Sequence, residues 1–411
     1  MRSVFRAVPV LLALLSLLSL VSVLDPRGGR ALPLYAARTG LQCQNCHFDP
    51  NGGGPRNEFG FAYGKNRHAI EPEEGEKPWG ELNLTNRVGD NFPLYFGINQ
   101  RFMLLANGYS GQDSIARAGF YNMESAIHFA FQPHPKLTLV YSMDPGPEAF
   151  GGARYTSKES YGMFTALPLN GYLKAGRFRT PFGLRWDDHT VATRNGFLDF
   201  TTAQAFLPYD PRRMDEGLEL GAEKSGIFGR LAFTNGGADV FNGQYAGATT
   251  LKLGYNSSRF QTAASLYDNY RKENTSGIQR SSRWGVYGMS HFKQFAVIGE
   301  IAAGTDEAEP VLPDMASGPK TNLMAWEVEG DYAPWRQFNV RLRFDHLETD
   351  RSSDPTVAEA ATHDRTAIEA EWMPVPFAEL RATYRWINHE YNTGFGYPDE
   401  TQSYLQFHFT Y

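Results

Sequence analysis

The sequence predicts an all-β fold: a closed antiparallel barrel of sixteen strands over residues 81–411, preceded by a short N-terminal segment. Three observations predict it. Stretches of about ten residues alternate apolar and polar at every second position. The connections between those stretches are alternately long and short. The last stretch carries Leu405, Phe407, Phe409 and Tyr411 at every second position and stops there. Composition agrees. Glycine at 41 of 411 residues and aromatics at 14% suit many strands joined by turns. With 39 basic and 45 acidic side chains the net charge is -6, which leaves no basic field for nucleic acid and excludes that partner class.

Residues 1–31 read as a targeting segment. Arg2 and Arg6 supply a positive start, Ala7 to Leu24 is a nearly unbroken apolar run, and Gly29 and Ala31 offer small residues for cleavage. The run is long enough that an uncleaved membrane anchor is the competing reading. No later stretch is long and apolar enough for a membrane helix, so any later span must consist of strands.

The next segment, residues 32–80, holds both cysteines of the chain in Leu41-Gln-Cys43-Gln-Asn-Cys46-His47. Cys-x-x-Cys-His is the attachment pattern of c-type haem. Its spacing lets two thiols form thioethers to one porphyrin while the next imidazole reaches the iron. Cys43 and Cys46 are therefore expected to attach one covalent haem c, with His47 as an iron ligand. A redox dithiol would call for a βαβ setting, which the pattern lacks, and a zinc site would call for further thiols, of which there are none. For the sixth iron position three options stand: His68, an imidazole from the later strands, or an open or water-bound site. His68 is the only histidine between His47 and His128, and no methionine lies between Met1 and Met103. Few aliphatics occur between Cys46 and Trp79, so this segment cannot bury a core alone. It must use the haem as its core or dock against something larger.

Strands are expected near 94–106, 117–131, 136–144, 159–167, 171–179, 217–224, 227–234 and 248–256. They continue near 259–268, 282–293, 294–304, 322–333, 337–347, 365–373, 376–387 and 402–411. Val340, Leu342 and Phe344 alternate with Arg341, Arg343 and Asp345, and Leu380, Tyr384 and Trp386 with Arg381 and Arg385. In an outer-membrane barrel the apolar face meets lipid and the charged face lines a wet lumen. Short connections include Pro133-His134-Pro135, Ser225-Gly226, Ser257-Ser258, Ala333 to Arg336 and Pro374 to Pro376. Long outer loops with short periplasmic turns put both chain ends on the periplasmic side.

The third long loop, Thr180 to Glu216, carries Arg185, Trp186, Asp187, Asp188, His189, Arg194, Asp210, Arg212 and Arg213. In sixteen-stranded porins this loop commonly folds into the lumen, and a solvated surface loop is the plainer alternative. Gly176 to Gly183 and Phe233-Thr-Asn-Gly236 resemble phrases of phosphate-selective porins. Inward-facing Arg341, Arg343, Arg381 and Arg385 would suit anions, although any wet lumen tolerates arginine.

Taken together, Tyr35 to His47 followed by Pro55-Arg-Asn57-Glu-Phe59-Gly60, with a barrel behind them, resemble the fused monohaem cytochrome–porin family of the outer membrane. Arg56 stands where members of that family often carry Leu. The resemblance implies electron transfer from an extracellular donor such as Fe(II) to a soluble periplasmic cytochrome. In enzyme terms that would be an oxidoreductase of the ferrous iron–cytochrome type. Asp187 and Asp188 could attract the donor cation. It also implies contact with outer-membrane lipid, and a homotrimer is the common assembly of sixteen-stranded porins. The rival reading is a solute or anion porin whose haem segment is a plug or sensor. A haem peroxidase would need a distal pair, for which Arg67 and His68 are the local candidates. The first two readings diverge on whether residues 32–80 occupy the lumen or hang in the periplasm.

Overall fold

The computed structural model describes residues 33–71, 84–91, 93–109, 117–144, 156–184, 190–194, 214–236, 245–272, 278–307, 320–350, 361–391 and 399–411. The expected leader over residues 1–31 lies outside them. A two-residue strand β1 (Arg87–Val88) leads into β2 (Leu94–Tyr109), β3 (Arg117–His134), β4 (Leu137–Asp144), β5 (Thr156–Leu167), β6 (Gly171–Arg179), β7 (Met214–Lys224) and β8 (Ile227–Thr234). Then follow β9 (Tyr245–Asn256), β10 (Phe260–Lys272), β11 (Ile278–Phe292), β12 (Phe295–Glu307) and β13 (Lys320–Trp335). The last four are β14 (Phe338–Asp350), β15 (Ala361–Val375), β16 (Ala378–Tyr391) and β17 (Glu400–Thr410).

Each strand from β2 to β17 pairs antiparallel with the next. The sheet closes where β17 meets β2, with Leu405 opposite Leu104 and Phe407 opposite Phe102. All sixteen expected strands form the wall; β1, paired with the start of β2, is an addition the alternation did not foretell. Closure leaves no exposed sheet edge.

The wall has its apolar side outward. Leu342 and Phe344 are 44% and 43% exposed, while Arg341, Arg343 and Asp345 between them are buried. Period-two alternation forces this once one face is the lumen. Near the short-turn rim, exposed aromatics pair across strands: Phe295 with Tyr332 at 4.6 Å and Trp335 with Phe338 at 4.8 Å between ring centroids. Such aromatics form the girdle of a lipid-facing barrel.

The short connections differ from expectation in one systematic way. Pro133, Pro334 and Pro374 fall inside strands rather than in turns, because β3, β13 and β15 run past them. At each the ladder slips, between Phe131 and His134, Tyr332 and Trp335, and Trp372 and Val375. Proline has no N–H for the ladder, so the strand bulges around it. The Ser225-Gly226 connection is a tight hairpin turn as expected, with φ of 53° and 82°.

Candidate functional site: a lumenal plug with a Cys-x-x-Cys-His turn

Residues 33–71 contain two short helices, α1 (Pro33–Thr39) and α2 (Glu58–Lys65), and their polar contacts are with inward-facing side chains of the wall. We refer to this segment, bonded to the inner face of the wall, as the plug. From α1, the Tyr35 hydroxyl donates to Glu371 and Glu379, each at 3.2 Å. One turn later the Arg38 guanidinium forks onto Asp331, with Nε–Oδ2 at 2.8 Å and Nη2–Oδ1 at 2.9 Å. On the other wall, Lys174 of β6 lies between Asp49 of the plug at 3.2 Å and Glu219 of β7 at 3.0 Å, all three with fully buried side chains. Asn51 donates to the same Glu219 at 2.8 Å, and Gln42 donates to Glu223. At the short-turn rim, Phe61 of α2 packs on Phe377 and Tyr411, both at 5.0 Å.

The Cys-x-x-Cys-His stretch forms a tight 3-10 turn. Cys46 N–H and His47 N–H both donate to the Cys43 carbonyl, at 3.1 and 3.0 Å. The chain then folds back so that His47 bridges Arg56 and Asn57 N–H donates to the Cys46 carbonyl at 3.0 Å. Beyond that backbone bond the Asn57 side chain has two roles: its Oδ1 accepts from Gly60 N–H at 2.9 Å as the cap of α2, and its Nδ2 donates to the Asn45 carbonyl at 3.0 Å. Gly60 allows the helix to lie on the turn, since a Cβ there would sit 2.2 Å from the Cys46 carbonyl oxygen. Gly52 has φ +87° and lies against Cys43. The Pro55-to-Gly60 phrase thus braces the thiol turn.

This donor set fits a c-type haem. Two thiols occupy one turn and an imidazole follows directly, with Cys46 and His47 buried and Cys43 partly open. Cys43 borders a cavity of about 30 Å³ whose lining includes Leu184, Phe228, Lys252, Tyr287 and Met289. That is room for about one water, so attachment of a porphyrin would part these side chains. Met289, on β11, was not among the residues the sequence pointed to.

His68 packs on two tyrosines of the same segment. Its ring is 4.3 Å from Tyr35 and stacks on Tyr63 at 5.5 Å. It faces Glu371 and Glu379, the three offering ligand atoms within 4.8 Å of one another. Arg381 already pairs with both carboxylates, at 3.2 and 2.6 Å, and Arg341 with Glu371. Burial pushes the His68 imidazole down to about 3, against the pull of Glu379, so the ring is neutral. Its Nδ1 is shielded from solvent and has no hydrogen-bond partner among the described residues. Arg67 and His68 share left-handed backbone, φ 54° and 57°.

Described residues 180–184 and 190–194 of the third long loop are bonded to the inner face of the wall, through Gly183 to Ser265, Leu184 to Glu300 and Ala192 to Asp345. Residues 190–194 are bonded to walls far from β6: Thr193 Oγ1 donates to Glu327 at 2.7 Å and Glu300 at 3.1 Å. Arg194 pairs with Glu300 at 3.0 Å, and Arg365 and Arg385 donate to Thr190 Oγ1 at 2.9 and 3.1 Å. Arg185, Trp186, Asp187, Asp188, His189, Asp210, Arg212 and Arg213 lie outside the described residues. The four lumenal arginines point inward as alternation requires, but they do not form an open cationic ring. Arg341 reaches Glu369 at 2.8 Å, Arg343 reaches Asp345 at 3.6 Å, Arg381 reaches Glu379, and Arg385 donates to the Tyr404 hydroxyl at 2.8 Å. Carboxylates interleaved on the same face neutralise most of the field that would attract anions.

Sequence reasoning missed Asp49, Asn51, Lys174 and Glu219. Lys174 and Glu219 were findable in part, since each alternates with outward leucines and so must face inward. Nothing in the sequence marks Asp49 as their partner.

No protein-family model matches the chain, and no curated protein does. Among solved structures it is similar to the outer membrane channel DcaP of Acinetobacter baumannii, with a TM-score of 0.59 and 11% identity over 78% of this chain and 98% of that one. It is similar also to OmpT of Vibrio cholerae in a loop-deleted form (TM-score 0.57, 10% identity, 78% and 100% covered). A third is the anion-selective porin from Comamonas acidovorans (TM-score 0.56, 7% identity, 78% and 100% covered). At such identities the likeness is one of fold, and the fold is a porin-like sixteen-stranded barrel.

Proposed function

We propose that the chain is a porin-type channel protein of the bacterial outer membrane whose lumen is occupied by its N-terminal segment, and that this plug carries one covalent haem c. The likeness to outer-membrane channels and the outward apolar face support the setting. The observation that carries the plug is the fully buried Asp49–Lys174–Glu219 triad, which joins the segment to the wall by charges shielded from bulk solvent. Cys43 and Cys46 would hold the haem and His47 would bind its iron. The group supplies a one-electron couple. The chain's own part is to fix the thiol turn through Asn57 and Gly60 and to exclude water with Phe228, Tyr287 and Leu184. In this reading the plug closes the channel or senses the state of its haem, and a homotrimer is the proposed assembly, OmpT having been seen in a trimer form.

A second reading is electron carriage between an extracellular donor such as Fe(II) and a periplasmic cytochrome. Its support is the position of Cys43 against the wall residues Phe228, Lys252 and Tyr287. A redox group there would divide an insulating layer about 25 Å thick into two shorter steps. One experiment separates the readings: planar-bilayer conductance of the haem-loaded full chain and of a form lacking residues 33–71, alongside anaerobic Fe(II) addition to the full chain followed in the haem bands. Gated conductance in the full chain, rising on deletion, supports the plugged channel. A silent full chain whose haem Fe(II) reduces within seconds supports the conduit. Equal steady conductance in both forms would sink the plug itself, and the absence of haem on Cys43 and Cys46 by mass would sink the haem assignment.

A further inference from the structure

We propose that His363 and His389 form a binding site for one divalent transition-metal ion at the outer mouth of the lumen. The two are cross-strand partners on β15 and β16. Both occupy inward positions, in phase with Arg365 and Arg385, and His363 is 4% exposed. Their Nδ1 atoms face each other at 2.7 Å, with ring planes at 75°. Each is two residues from the strand end that leads into a long loop, so the pair sits on the rim opposite the short turns.

Two neutral imidazoles at this distance share one proton: one Nδ1–H donates and the other Nδ1 accepts. When that proton moves to Nε2 of its own ring, both Nδ1 atoms carry free lone pairs and both rings, still neutral, can ligate one metal ion. With metal–nitrogen bonds of about 2.0–2.1 Å, a right-angle pair of ligands has its nitrogens about 2.9 Å apart and a tetrahedral pair about 3.3 Å. The observed spacing reaches either by a small tilt of the rings. Imidazole nitrogens select copper, zinc, nickel or iron over calcium and magnesium.

Charged groups on the neighbouring strands have partners of their own. Asp364 points to the outer face, where its Oδ1 meets His346 Nδ1 at 2.8 Å. The nearest inward cations are engaged elsewhere, Arg365 on Asp345 at 2.9 Å and Arg385 on Tyr404. Asp399 accepts from the His389 backbone N–H at 2.9 Å and brings a carboxylate to the same rim. Water would complete the coordination. The site is independent of Cys43, Cys46 and any haem.

The test is Cu(II) titration of full-length protein carrying Cys43→Ser and Cys46→Ser, so that thiols do not compete, read by calorimetry and by electron paramagnetic resonance. One ion per chain with hyperfine coupling from two imidazole nitrogens is expected. His363→Gln or His389→Gln, each checked for the heat-modifiable gel shift of a folded barrel, should weaken binding at least tenfold and remove one nitrogen. His68→Gln should change nothing. Should a variant fail to fold, the nitrogen count of the parent protein decides alone: none or one overturns the site. Binding unaltered by either rim variant, or abolished by His68→Gln, overturns it as well.

Discussion

Lys174 shows how a single residue can decide whether the lumen is filled. Its ammonium is buried from bulk solvent, and two carboxylates, Asp49 and Glu219, take the place of that hydration. Tyr161 and Phe178 present ring faces to the same ammonium, at 5.3 and 4.7 Å. One of the two carboxylates belongs to the plug, so docking completes a charge arrangement that the empty barrel would leave unfinished. Removing the cation leaves two buried anions side by side, which costs on the order of 3–5 kcal/mol. Lys174→Met is therefore expected to release the plug from that wall. Trypsin should then cut after Lys65 or Arg67 many times faster than in the parent protein, while the barrel keeps its heat-modifiable gel shift. Adding Asp49→Asn and Glu219→Gln should restore most of the protection, because neutral amides carry no charge to leave unpaired. Equal cutting rates in parent and Lys174→Met would show that the triad does not hold the plug.

Among the elements, the strands were legible and the plug was not, for a physical reason. A strand between lipid and lumen must alternate, so Val340 to Asp345 declare both their conformation and their facing. The proline-bearing ends were misplaced, because Pro133, Pro334 and Pro374 suit turns locally but are carried here in bulges of the wall, and loop-side ends such as those of β11, β15 and β16 run further than the alternation marked. The Cys43–His47 turn was legible from its chemistry. The docking of residues 33–71 depends on pairs such as Arg38 with Asp331, 293 positions apart, and no local pattern encodes them. Within the plug, α2 and the thiol turn form one unit. Asn57→Ala removes the cap and the bond to Asn45, a loss of roughly 1 kcal/mol, whereas Gly60→Ala drives a Cβ into the Cys46 carbonyl. In protein made without haem attachment, maleimide should label Cys46 slowly in the parent, modestly faster in Asn57→Ala, and about as fast as Cys43 in Gly60→Ala. A Gly60→Ala protein with Cys46 still protected would mean that α2 does not brace the turn.

At the scale of the whole molecule, closure of the wall and filling of the lumen meet at the last residue. Tyr411 exchanges two backbone hydrogen bonds with Ile98, both 2.9 Å, which extend the seam between β17 and β2. Its ring also touches Phe61 of the plug at 5.0 Å and Phe377 of the β15–β16 turn at 5.2 Å, and its hydroxyl donates to the Thr85 carbonyl at 3.2 Å. The terminal aromatic was read from sequence as a strand signal alone, since spacing by two reveals a strand but not what rests on its end. The backbone function tolerates any residue; the ring function does not. Tyr411→Leu should therefore leave barrel assembly and its gel shift unchanged while raising trypsin cleavage of the plug severalfold. Deleting Tyr411 removes the bonds to Ile98 as well and should lower the yield of assembled barrel. Should Tyr411→Leu protect the plug as well as the parent does, the terminal ring serves the seam only, and the plug is held by Lys174, Arg38 and Tyr35 without it.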